Sequence, residues 1–389
     1  GSSDLPPALR RLALARLERG EPAAAERAIR RAVALRERDA AVSAWGLARS
    51  LATLGKILAA QGRVDAALDV YARATDAAFD LAVLGDARGR AGTLRERAIF
   101  EDYAALLLAR LDDRPELTDR LVEVVQLPHL TGTAQALREA VASLSSDDPA
   151  LRDLLAERRG RLERRRELRS LVLDALRRDA DASERARLER EAAAVDARLA
   201  ALDARLASAF PAVADLLRPR PASRAALQAA LAPDEALLLH LSTAEASVYV
   251  AVTAEGVTAR RSAAGRGEVA ALVERIRYGV SNERDPHVRI RLFDVEAAHR
   301  LYAESVGLVA DAIGAADHLF LVPDGPLQNL PPHLLLQAPA PLPPARYGST
   351  RDIDFTIYRE LAWLARSHAV AVLPSAAALT IGRRFETAA

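Results

Sequence analysis

Cysteine is absent from all 389 residues, which excludes a disulfide framework, a thiolate metal site and a cysteine nucleophile within this stretch. Methionine is absent too, and Lys56 is the sole lysine; every other basic residue is arginine. Together with the abundance of alanine, that bias reads as genome composition before function. No apolar run approaches the roughly 17 residues that a membrane span needs, and no charged, apolar and small-residue signal opens the chain. Neither sign of charge dominates: 54 basic residues face 53 acidic ones, which argues against a whole-chain electrostatic partner such as nucleic acid. The opening Gly1-Ser2-Ser3 looks like an expression scar. With no initiator methionine, the expectation is an engineered or processed piece of a cytoplasmic protein without a membrane segment.

Half of the residues are hydrophobic, so a core is easily built, and 389 residues are long for one core. Three stretches are expected: helical repeats over 4–127, a helical linker with a coiled-coil hairpin over 128–232, and an α/β part over 233–389. The clearest repeat runs from Leu51 to Ala74. Gly55 beside Leu54 supplies the small residue of a first helix, Gly62 the turn, and Ala67, Tyr71 and Ala74 the second helix, in the pattern of a tetratricopeptide hairpin. Shifted back 42 residues, the same template falls on Leu12-Ala13, Gly20, Ala25, Ile29 and Ala32. A third, degenerate pair is expected over 87–111 and 115–125, with Phe100, Tyr103, Leu106 and Leu107 as its stripe. Stacked pairs leave a concave groove, where a protein or peptide partner would lie; the bland alternative is that they brace the next domain. A short helix is expected near Thr133 to Leu144, and His129 beside a proline reads as a loop residue.

Leu151 to Ala209 reads as two long helices forming an antiparallel hairpin. Leu188, Ala192, Val195, Leu199, Leu202 and Leu206 recur at steps of three and four, the seam of a coiled coil, and face a coarser stripe through Leu155, Leu162, Leu168, Val172 and Leu176. Asp181, three residues before Glu184, has the spacing of a helix cap. The run Arg158 to Arg166 invites a nucleic-acid reading. Yet fifteen arginines face twelve acids between Leu151 and Ala209, at spacings such as Glu157 with Arg161, so a solvated charged face is expected.

After a boundary at Pro219 to Pro221 and a short helix at Ser223 to Leu231, the pattern changes to strands. Ala236 to Leu241, Ser247 to Val252 and Gly256 to Ala259 read as an antiparallel meander. Helices follow over 268–280 and 295–313, then a strand at 318–322, a proline-rich loop from Ala338 to Tyr347, a helix near Tyr358 to Ser367 and a strand from His368 to Leu373. Alternating helix and strand makes a right-handed crossover and parallel pairing the natural topology. His240, His318 and His368 all fall at strand starts or ends and read as core or edge residues rather than catalysts.

Leu319 to Leu336, LFLVPDGPLQNLPPHLLL, organises this last part. A buried strand stops at Pro323, Asp324-Gly325-Pro326 supplies a turn, and Leu327 and Leu330 pin the loop to an apolar surface. The segments Leu301-Tyr302, Val322-Pro323-Asp324-Gly325-Pro326-Leu327, Leu330-Pro331 and Val372-Leu373-Pro374-Ser375-Ala376, in this order and spacing, resemble the first half of the CHAT family. That family comprises caspase-like cysteine peptidase domains associated with tetratricopeptide repeats.

The resemblance implies a fold class of α plus α/β: repeats, a long hairpin, then the first part of a caspase-like domain. It also implies a parent cysteine endopeptidase regulated by partner binding. In the family the histidine and cysteine lie beyond the P-S-A segment, and neither motif is present here. No catalytic, cofactor-binding or metal-binding residue is therefore carried over; Ser375 receives a structural role, and the chain is expected to be inactive alone. The competing expectation is a non-catalytic interaction scaffold on a degenerate platform. Because a half-domain exposes strand edges, pairing with its missing half or with another copy is expected.

Overall fold

The computed structural model describes residues 5–38, 44–83, 89–130, 148–178, 180–211, 213–214, 220–280, 292–340 and 355–386. It is an α plus α/β protein, mostly helical with one mixed sheet. Two compact units are formed, Gly1–Leu106 with Leu130–Arg220, and Leu107–His129 with Pro221–Ala389. Among the described residues no helix is long and apolar enough to cross a membrane. The helix expected near Thr133 to Leu144 lies outside the described residues, as does most of the proline-rich loop.

In the first unit, α1 (Leu5–Glu18), α2 (Pro22–Arg38), α3 (Ala44–Ala60) and α4 (Val64–Val83) form two consecutive hairpins. Their turns are the same object repeated after 42 residues. Gly20 and Gly62 both take φ +74°. In the first, Gly20 N–H bonds Leu17 O and Glu21 N–H bonds Arg16 O; in the second, Gly62 N–H bonds Ala59 O and Arg63 N–H bonds Leu58 O. That pair of bonds around a left-handed residue is a Schellman cap, which glycine adopts without a Cβ penalty. Ala13, Ala25, Ile29, Ala32, Ala67 and Ala74 are fully buried between the helices. At Gly55 a Cβ would stand 2.8 Å from the Tyr71 ring, so glycine is what lets α3 approach α4. Tyr71 in turn stacks on Tyr103 of α5 (Gly89–Leu108), ring centroids 5.7 Å apart.

A sign test follows from these glycines. Gly20→Ala and Gly62→Ala are each expected to cost about 1 kcal/mol, because the left-handed conformation penalises any Cβ even though open space surrounds it. Gly160→Ala, in a helix interior with equally open surroundings, is expected to stabilise by a similar amount, about 0.8 kcal/mol. Urea unfolding of the three variants measures both signs.

The second half of this unit is the antiparallel hairpin of α7 (Pro149–Arg177) and α8 (Ala182–Ala209). The Asp181 side chain accepts from Glu184 N–H at 2.7 Å, so the helix starts at the expected cap. Leu162, Leu168 and Val172 pack with Leu188, Val195 and Leu199, and Leu151, Leu154 and Leu155 with Leu202 and Leu206. One expectation is corrected. Arg159, Arg164 and Arg166 are solvated and Glu157 pairs Arg161 at 3.7 Å, but Arg158 and Arg165 are buried in the seam. Arg158 Nε donates to Asp203 Oδ1 at 2.8 Å, and Arg165 Nη1 lies 3.6 Å from Asp196. Both partners of each pair are one heptad from those of the other, so the arginines occupy core positions of the repeat, not its polar face.

The second unit is built on a five-stranded sheet of order β3-β2-β1-β4-β5, with β1 (Glu235–Ser242), β2 (Ser247–Thr253), β3 (Val257–Ser262), β4 (His318–Val322) and β5 (Ala369–Val372). β1, β2 and β3 form the expected antiparallel meander, while β4 pairs parallel with β1, and β5 parallel with β4. On one face, Ala236, Leu238, Leu319 and Leu321 pack with Leu272 and Ile276 of α10 (Arg266–Val280) and Leu301 of α11 (Val295–Ala303). The strand neighbours of these residues, Leu237, Leu239, Leu241 and Phe320, point the other way, and Arg383 of α13 (Ala376–Glu386) lies over the Phe320 ring at 5.9 Å. Strands buried on both faces explain why β1 reads as a continuous apolar run. The helix α6 (Thr118–Gln126) belongs to this unit, against β1 and α9 (Arg224–Ala229). Gln126 fixes it there: its amide donates to Ala222 O and accepts from Ala222 N–H, both at 2.9 Å.

Two expected helices take other forms. The stretch 295–313 breaks after α11 into a 3-10 turn and the single-turn α12 (Ala310–Ile313), because the Ser305 hydroxyl back-bonds to Leu301 O and a Cβ at Gly307 would press on Tyr302 O. The segment at 358–367 is two 3-10 turns, Phe355–Arg359 and Leu364–Arg366. Its backbone is claimed by a neighbour: Gln337 N–H bonds Ala362 O and Leu364 N–H bonds Leu335 O, leaving those groups unable to close an α-helix.

Candidate functional site at the carboxyl end of the parallel strands

From β1 the chain turns to one side, through β2 and β3, and returns as β4 on the other, so β1 and β4 flank a switch point. In open sheets the crevice outside the carboxyl ends at such a point is where sites are built. Two loops emerge here. Leu321 pairs with Val372, and Leu373 N–H bonds Leu321 O at 2.8 Å. Val322-Pro323-Asp324-Gly325 and Leu373-Pro374-Ser375, fifty-one residues apart by the difference of Pro323 and Pro374, therefore leave adjacent strands on the same side.

Pro323 has no N–H, so the ladder between β4 and β1 ends there. Asp324 takes over from it. Its N–H donates to His240 Nδ1 at 3.2 Å, and its Oδ2 accepts from Ser242 N–H at 2.7 Å. The carboxylate is only 2% exposed. Arg266 engages the other side of the same residue, its Nη2 donating to Ser242 O at 2.7 Å. The last residue of β1 is thus held between an acid on its N–H and a base on its carbonyl. Gly325, at φ +54°, then lets the chain turn over Ser242, where an added Cβ would come within 3.4 Å of the serine Cβ. Leu327 and Leu330 are buried as expected.

His240 is fully buried and stacks on Tyr249 of β2, ring centroids 4.6 Å apart. Because its Nδ1 accepts a backbone hydrogen bond, the proton of the neutral ring belongs on Nε2. Burial pushes the Tyr249 hydroxyl pKa up; the Ser247 hydroxyl opposes this, and Glu304 and Asp324 add to it. The phenol therefore stays protonated at neutral pH. His129 approaches from before the sheet, its Nε2 at 3.1 Å from His240 O, so a residue expected in an open loop is a buried strut.

The other two strand-end histidines are not brought here. His318, at the amino end of β4, lies 3.5 Å from Asp234 on the surface, and His368, before β5, bonds Ala316 O through Nδ1 at 2.7 Å. Ser375 is buried after β5. No group of acids and histidines suited to a metal occurs among the described residues. What the arrangement does chemically is tie the loop after β4 to the end of β1 by charge-assisted bonds in a buried setting, where such bonds are strong, with the loop after β5 beside it through Leu373 N–H to Leu321 O. Asp324 is the residue that sequence reasoning undervalued as a turn former. An acid enclosed by Pro, Gly and apolar neighbours was the available signal. No protein-family model, curated protein or solved structure matches this chain.

Proposed function

We propose that this chain carries the receiver and the platform of a caspase-like cysteine peptidase of the CHAT type, acting in the cytoplasm. The observation that carries the reading is the pairing of the V-P-D-G and L-P-S loops on adjacent parallel strands, at a switch point, although they are far apart in sequence. The outer strand supports it. β5 ends the sheet among the described residues, and Val372 is 53% exposed where β1 and β4 are buried. A further strand added parallel to β5 would end beside Pro374. A histidine and a cysteine at the carboxyl ends of such strands would then share one edge with the loops, the histidine drawing the thiol proton and the thiolate attacking a peptide carbonyl. The two hairpins of the first unit, built as tetratricopeptide-like repeats, would receive a protein or peptide partner that regulates cleavage.

Two measurements test this. The reading frame beyond Ala389 is expected to encode a histidine and a cysteine, each closing a predicted strand; their absence leaves a non-catalytic scaffold as the function. The 389-residue chain, having no thiol, is expected to hydrolyse no peptide in a fluorogenic library. Turnover by the purified chain would overturn the peptidase reading.

A further inference from the structure

α1 and α3 hold equivalent places in the two hairpins, and the 42-residue offset sets Leu5, Ala8, Leu12 and Ala15 against Leu47, Ser50, Leu54 and Ile57. Their surroundings differ. Ser50, Leu54 and Ile57 are 2%, 3% and 0% exposed, and the two aliphatic residues lie in one cluster with Ala25 and Ile29 of α2. Ala8 and Ala15 are exposed, Leu12 is 43% exposed and Leu5 38%. The molecule therefore contains, in α2 upon α3, its own example of what covers this stripe: an amphipathic helix. α1 is built for the same contact with sizes exchanged. Where α3 is bulky at Ile57, α1 has Ala15, leaving room for larger side chains on the covering helix.

Charge narrows the occupant. Arg11 and Arg16 on α1 and Arg19 just beyond it flank the stripe; Arg16 donates to Ala24 O and Arg19 pairs Glu21 only at 3.7 Å. Glu18 is the only acid on α1, so the four arginines of 10–19 outnumber the acids Glu18 and Glu21. A second copy laid on this face by a two-fold axis would set these arginines against their own counterparts, whereas an acidic helix would neutralise them. We propose that the outer face of α1 docks an acidic amphipathic helix of a protein partner, its leucine or isoleucine stripe over Leu5, Ala8, Leu12 and Ala15 and its carboxylates toward Arg11 and Arg19. The proposal does not depend on the peptidase reading.

The probes are two synthetic helical peptides of about 18 residues, with leucines at steps of three and four and either glutamate or lysine on both flanks. The glutamate peptide is expected to bind the full chain by fluorescence anisotropy, more weakly as salt rises, and the lysine peptide not to bind. Leu12→Glu should weaken the glutamate peptide by at least about tenfold. Arg19→Glu, at a side chain 76% exposed, should weaken it as well and let the lysine peptide bind. Both substitutions lie on the surface, so unchanged helical circular dichroism is expected. Equal affinity for the two peptides, no binding of the glutamate peptide, or insensitivity to Leu12→Glu would overturn the proposal. So would a dimer of the chain that Leu12→Glu dissolves, since the face would then belong to a second copy.

Discussion

Asp203→Ala is expected to destabilise the α7–α8 hairpin by about 3 kcal/mol. The reason is the partner left behind. Arg158 has a side chain only 9% exposed, and the guanidinium in the seam depends on a carboxylate beside it to offset its desolvation. Asp203, 18% exposed, supplies a carboxylate at 2.8 Å. Replacing both residues together by leucine should recover most of the loss or exceed it, since a packed apolar pair avoids the desolvation altogether. Asp196→Ala should cost less, about 1 kcal/mol: Arg165 is as buried as Arg158, at 5% exposed, but Asp196 is 48% exposed and 3.6 Å away, so its carboxylate offsets less of that charge to begin with. Thermal unfolding of the four variants gives the double-mutant cycle. A loss at Asp203 no greater than at Asp196 would show that the seam position of Arg158 carries no special cost.

Those two pairs also show where sequence reasoning reached and where it stopped. The heptad steps of Leu188 to Leu206 are a one-dimensional pattern, so α8 and its seam are legible from spacing alone. The same arithmetic places Arg158 and Arg165 on the stripe of Leu155, Leu162, Leu168 and Val172. The interleaved acids favour a solvated polar face all the same, and for these two arginines position on the stripe overrides that pattern. The hairpin turns were legible because a left-handed residue demands glycine and the demand recurs at Gly20 and Gly62. Less was legible where backbone groups bond to distant segments. Nothing local in Tyr358 to Ser367 announces that Gln337 and Leu335 will claim its amides and carbonyls, and the apolar spacing alone favours a helix. α6 is similar: its stripe of Leu121, Val122, Val124 and Val125 says that it is buried, not that β1 buries it. The candidate site divides in the same way. The loop, its turn and its buried leucines follow from Pro323 to Leu330, but the partners of Asp324 lie more than eighty residues earlier, as the 82 and 84 residue separations of its two bonds record.

Asp324→Ala is expected to cost about 2–3 kcal/mol, the range for losing a buried hydrogen bond to a charged acceptor. The bond from Ser242 N–H to Asp324 Oδ2 disappears, while the bond from the Asp324 backbone to His240 Nδ1 can persist, so the loop is loosened on one side only. Asp324→Asn separates charge from geometry: its carbonyl oxygen can still accept from Ser242 N–H, and it should recover about half of the loss. Amide exchange gives the local readout. In Asp324→Ala, Ser242 and the residues of the Gly325–Asn329 turn should lose protection before the β1–β2 ladder does, because only the loop depends on the carboxylate. If Ser242 exchanges no faster in Asp324→Ala than in the parent chain, the carboxylate does not hold this edge together. The proposed platform would then rest on the leucines beneath the loop alone.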